Sequence, residues 1–82
     1  MTVRPLSAEQ RRALELLASS HSGVNAALLV YGHRFKRRVL AGPVRRGLAA
    51  ADREVVMADG KVIEVVRFRI RDAGRDALTA EG

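Results

Sequence analysis

Residues 50–71 read AADREVVMADGKVIEVVRFRIR, and the Asp59-Gly60 pair in their middle decides the fold. An Asp-Gly pair between runs rich in valine and isoleucine is the strongest short-range mark of a two-residue hairpin turn, whose central residues need positive φ. Strands are therefore expected over 49–58 and 61–70, and the turn sets their register. Ala58 faces Lys61, Met57 faces Val62, Val56 faces Ile63 and Asp52 faces Arg67. Side chains alternate along a strand, so Val55, Met57, Val62, Val66, Phe68 and Ile70 share one face. The other face holds Arg67, Arg69 and Arg71 near the base, with Val56, Ile63 and Val65 nearer the tip. If Phe68 and Ile70 pack on the rest of the chain, then Val56, Ile63 and Val65 form an outward apolar patch of the kind that marks interaction surfaces. A hairpin twisted enough to bury both faces is the alternative.

Upstream of the hairpin lies RFKRRVLAGPVRRG, residues 34–47. The apolar spacing predicts a helix over 35–47, with Phe35, Leu40, Pro43, Val44 and either Gly47 or Leu48 inward. Arg38, Ala41, Gly42 and Arg45 would line the opposite side. Proline at position 43 removes the hydrogen bond to the Val39 carbonyl and crowds it, at a cost of ~3 kcal/mol in a helix interior. Gly42, ahead of the proline, is disfavoured in the helical region as well. The helix must break or bend here. A break would restart it at Pro43, a favoured first position, and would separate Arg34, Lys36, Arg37 and Arg38 from Arg45 and Arg46. A local bend would leave the basic face whole.

Further upstream, Ser7 and Gln10 fit a capping box that opens a helix over 7–19, after an N-terminal arm at 1–6. Ala13, Leu14, Leu17 and Ala18 form its apolar face, with Arg11, Arg12 and Glu15 toward water. Asn25 suits the start of a short helix over 25–31, and Gly32 the left-handed residue that ends it. Downstream, Asp72 opens a last helix over 72–79, followed by a frayed polar tail. No repeat, low-complexity tract or linker divides the chain. The expected fold class is α+β: three helices on a two- or three-stranded antiparallel hairpin sheet, then a short C-terminal helix, as one domain over 1–82.

Composition narrows the function classes. The 82-residue chain carries net charge +6, and the excess is local. Residues 1–30 contribute +1, residues 31–47 contribute +6 without a single acid, and residues 48–82 contribute −1. A cationic segment of this kind calls for an anionic partner. The absence of cysteine excludes disulfides, thiolate chemistry and thiolate zinc sites, which fits a reducing cytoplasm. The longest apolar run, AALLVY, is far short of a membrane span, and MTVRPLSAEQ has no apolar leader segment, so no membrane partner is expected. His21 and His33 fall in separate loops, Ser19, Ser20 and Ser22 read as loop and cap residues, and no glycine-rich phosphate loop is present. Neither an enzyme nor a bound metal or cofactor is expected. Only three aromatics, Tyr31, Phe35 and Phe68, are available to anchor a core. A chain of this size buries only ~60% of its unfolded surface, so a dimer interface would help it.

Three stretches carry a resemblance. LSAEQRRALELL (6–17), VLAGPVRRGLA (39–49) and RIRDAGRDAL (69–78) resemble the opening helix, the recognition helix and the strand-to-helix signature of winged helix-turn-helix domains. The likeness is greatest to bacterial regulators of the multiple-antibiotic-resistance-regulator type. It spans residues 6–79 and departs from the family's pattern at Arg71, where a threonine is usual, and at Pro43 inside the recognition helix. With neither dimerisation helices nor a ligand domain, the chain is most similar to short single-domain members. The resemblance implies a cytoplasmic transcription regulator, with a homodimer as one expected form. It would bind double-stranded DNA through the third helix, with the wing touching backbone or minor groove. The residues implied in contact are Arg34, Lys36, Arg37, Arg38, Arg45 and Arg46, with Lys61 beside the wing tip. Arginine pairs with guanine but no Asn or Gln is present on the helix to read adenine, so weak discrimination with a G·C preference is expected. The competing expectation is a protein-interaction winged helix that uses Val56, Ile63 and Val65.

Overall fold

The computed structural model describes residues 5–81; of the arm expected at 1–6, Met1–Arg4 lie outside the described residues. Helix α1 (Ala8–Ala18) starts on the capping box read from sequence: the Gln10 N–H donates to Ser7 Oγ and the Ser7 N–H to Gln10 Oε1, both at 3.1 Å. Its apolar face buries Ala13, Leu14 and Leu17. The chain then forms strand β1 (Val24–Asn25), which the sequence did not announce, because two residues are too few to show a period. Asn25 Oδ1 accepts from the Ala27 N–H at 2.7 Å and starts the next segment as expected.

That segment ends as a π-helical turn, Leu28–Gly32, closed by the His33 N–H donating to the Leu28 carbonyl at 2.9 Å. The left-handed residue is Arg34, with φ 61°, and not Gly32 as expected. Winding the turn wider delays the reversal by two residues, after which the Phe35 N–H reaches the Leu29 carbonyl at 3.0 Å. Phe35 is thereby turned into the core, where 6% of it is exposed.

Helix α2 (Arg37–Arg45) runs through the Gly42-Pro43 pair without a break. Both residues of the pair face inward. Gly42 lies against the Gln10 side chain of α1, whose Nε2 would have to move aside for a Cβ, and Pro43 is buried with Leu40. Gly42 therefore faces α1 and not the outer side assigned to it from the spacing. Beyond the proline the helix recovers its hydrogen bonds, Arg46 N–H to the Gly42 carbonyl at 3.1 Å and Leu48 N–H to the Pro43 carbonyl at 2.8 Å. Gly47, at φ 74°, stops it.

Strands β2 (Ala49–Ala58) and β3 (Lys61–Ile70) pair antiparallel in the register set by the turn: Ala58 with Lys61, Met57 with Val62, Val56 with Ile63, Asp52 with Arg67. Asp59 and Gly60 take φ 51° and 73°, as a tight hairpin demands. β1 pairs with the other edge of β3, which gives an antiparallel sheet of order β1-β3-β2. Helix α3 (Asp72–Glu81) continues beyond the expected 79 and packs its start on the body: a Cβ on buried Gly74 would run into the Leu48 carbonyl. The described chain is thus an α+β fold with a three-stranded antiparallel sheet.

The core gathers at the base of the hairpin from Ala13, Leu14, Leu17, Leu29, Phe35, Leu40, Leu48, Ala49 and Ile70. Phe68 and Ile70 pack on the body, but the rest of their hairpin face does not follow them. Ile70 is buried and Val66 and Phe68 are half-buried, but Val55, Met57 and Val62 are 69%, 68% and 68% exposed. Length explains it. A ten-residue strand spans ~33 Å, whereas the eleven residues of α1 span only ~16 Å, so the outer half of the hairpin outruns the helices. The molecule is correspondingly long, 50 × 22 × 21 Å.

Candidate nucleic-acid interface

Helix α2 and its lead-in place Arg34, Lys36, Arg37, Arg38, Arg45 and Arg46 on the surface, all exposed. Arg38 and Arg45 are seven residues apart, so they lie on one side of the helix, ~10.5 Å from each other along its axis. Because α2 is unbroken, the two arginine clusters that a break would have separated stay on one element. Among the described residues, no salt bridge reaches Arg34, Lys36, Arg37, Arg38 or Arg45. The hairpin differs: Arg69 Nε lies 3.0 Å from Asp52 Oδ2, Arg67 Nη2 3.7 Å from Glu54 Oε2, and Arg53 Nε 3.7 Å from Glu64 Oε1. Cation and anion are interleaved on the sheet, and cations stand alone on α2.

The N-terminus of α2 breaks the usual rules of helix stability. Lys36 occupies the cap position without a side-chain hydrogen bond, and the first turn holds Arg37 and Arg38 with no acid. The helix dipole puts partial positive charge at that end, which favours anions and opposes cations by about 0.3–1 kcal/mol each. The Val39 and Leu40 N–H groups already donate to the Lys36 carbonyl, at 3.0 and 3.3 Å, so the earlier N–H groups of the turn and the exposed Lys36 and Arg38 side chains remain at that end, an arrangement suited to a phosphate.

Lys61 stands apart from this cluster. It lies beside the turn, nine residues along β3 from Ile70, and so ~30 Å from the sheet base. One contact was not legible in the sequence. Arg12, assigned to solvent from the α1 pattern, lies over the Phe35 ring with its guanidinium carbon 5.2 Å from the ring centre, next to the lead-in of α2. His33 also borders Phe35, with ring centres 6.4 Å apart.

Two apolar surfaces complete the description. On the outer hairpin face Val56 and Ile63 are 37% and 43% exposed and Val65 is half-buried. On the inner face a groove of about 410 Å³ opens between Val30 and Tyr31 of the second helical segment, Arg37 and Leu40 of α2, and Val66 and Phe68 of β3. Among the described residues no three His, Cys, Asp or Glu side chains are grouped to hold a metal ion, and no helix is long and apolar enough to cross a membrane. Comparison with protein-family models, curated proteins and solved structures returned no match.

Proposed function

We propose that this chain is a winged helix protein that binds double-stranded DNA, with α2 as the recognition helix and the β2-β3 hairpin as the wing, in the manner of a small bacterial transcription regulator in the cytoplasm. The observation that carries the reading is the unneutralised cluster of Arg34, Lys36, Arg38 and Arg45 on α2 and its lead-in, beside a sheet whose arginines are paired. The element order, two helical segments, an exposed helix and then a hairpin closed by a short first strand, supports it.

In this reading the α2 N-terminus seats a phosphate through backbone N–H groups, Lys36 and Arg38. Arg45, two turns on, reaches a base edge or the next phosphate, with guanine the favoured base. Arg12 adds positive charge beside the lead-in. Arg46 follows at the helix end. Lys61 touches the duplex only if the DNA extends along the hairpin.

Fluorescence anisotropy with a random 30-base-pair duplex at several salt concentrations tests the proposal. Four released phosphate contacts would give a slope of log affinity against log salt of about −3.6. Arg38→Glu combined with Arg45→Glu should abolish binding while the circular dichroism stays native. Unchanged affinity in that double variant would rule the reading out. The second reading, a protein-interaction winged helix, draws on the exposed Val56 and Ile63. It predicts that Ile63→Glu dissolves a protein complex without altering DNA titrations.

A further inference from the structure

The inner hairpin face carries a knob and a socket at opposite ends. The knob is the tip: Met57 and Val62 are a cross-strand pair, each 68% exposed, and Asp59 stands at the turn between their strands. The socket is the apolar groove at the base, lined by Val30, Tyr31, Leu40, Val66 and Phe68, with Arg37 as its only charged side chain. Val62, Val66 and Phe68 lie on the same face of β3, since they are separated by even steps. Between knob and socket sit Arg53 and Glu64, paired at 3.7 Å.

A surface of this kind is complementary to itself. An isologous dimer needs one patch in which residue i meets residue j while j meets i. Turning a second copy end over end about an axis near the Arg53-Glu64 pair brings each tip over the other copy's groove. Charge agrees with shape. Among the described residues neither Asp59 nor Arg37 has a salt-bridge partner in its own chain, and one is an acid at the knob while the other is a base in the socket.

We propose that two copies of this chain form a two-fold dimer in which the Met57-Val62 tip of each hairpin fills the other's groove and Asp59 meets Arg37. The occupant is a second copy because the chain itself supplies both halves of the fit, in shape and in sign of charge. The dimer leaves the outer hairpin face free, and it assigns Arg37 to the interface, not to nucleic acid. It does not depend on DNA binding.

Sedimentation of the full chain over a wide concentration range, with circular dichroism as the folding control, tests it. The wild type should sediment at twice the 9.0 kDa chain mass, Val62→Glu as a folded monomer, and Ile63→Glu as a dimer. Asp59→Asn keeps a residue suited to the turn and removes the charge. It should weaken the dimer about tenfold, Arg37→Gln should do the same, and the double variant should be no weaker than either, because the same two symmetry-related pairs account for both losses. A wild type monomeric at every concentration overturns the proposal. So does a dimer that survives Val62→Glu, or one that Ile63→Glu alone dissociates.

Discussion

Gly47, just past the end of α2, and Gly74, in the first turn of α3, are needed for different reasons. Gly47 sits at φ 74° with nothing within 4 Å of where a Cβ would be, so its requirement is conformational alone. Gly47→Ala should cost about 1–2 kcal/mol, a fall in Tm of several degrees for a domain of this size. Gly74 has ordinary helical backbone but faces the Leu48 carbonyl, which an alanine would strike. Gly74→Ala must push α3 off the sheet base, so thermal melting should show the larger loss of the two. Leu14, with no exposed surface, sets the scale for the core. Leu14→Ala should remove roughly 2–5 kcal/mol, enough to unfold a large share of a small domain's molecules. These residues were unequally legible. Gly47 follows from a helix-end rule, whereas nothing in RDAGRDAL says that Gly74 meets a carbonyl 26 positions earlier.

Among the elements, α2 is built against its own stability at both the cap and the proline. Lys36→Asp should give the helix a side-chain cap worth ~1 kcal/mol, raising Tm while lowering DNA affinity in the anisotropy titration. Opposite movement of the two readouts distinguishes a helix end selected for an anion from one that is merely uncapped. Pro43→Ala should restore the bond to the Val39 carbonyl, a gain of ~3 kcal/mol, against ~1.6 kcal/mol for two buried methylenes lost. A net rise in Tm is expected, with DNA affinity unchanged because Pro43 faces inward. The hairpin was the most legible element, since turn chemistry at Asp59-Gly60 and the period of two both act locally. The same pattern does not decide burial. Alternation says that Val55, Met57 and Val62 share a face, but whether a helix lies over that face depends on helix length elsewhere. The short β1 and the wide turn before Arg34 were missed for a related reason: both are imposed by β3 and the core, not by their own residues.

At the scale of the molecule, the body is compact and its hairpin is a lever about as long as the body itself. In the two-fold assembly proposed above, stability and association are linked, so Tm should rise with protein concentration, and the Val62→Glu variant should lose that dependence. Scanning calorimetry at several concentrations measures it. The three-stranded sheet also has a history implied by its pairing. β2 and β3 are joined by two residues, and such a hairpin closes in about 1–10 μs. β1 must reach β3 across two helical segments and the hairpin's own first strand to set Val24 beside Phe68. Contacts between distant parts of a chain form late, because the loop must close before any pairing rewards it. The hairpin amides should therefore gain protection from hydrogen exchange during refolding before those of Val24 and Asn25, and the clasp at the sheet's far edge would be the last part of the protein to set.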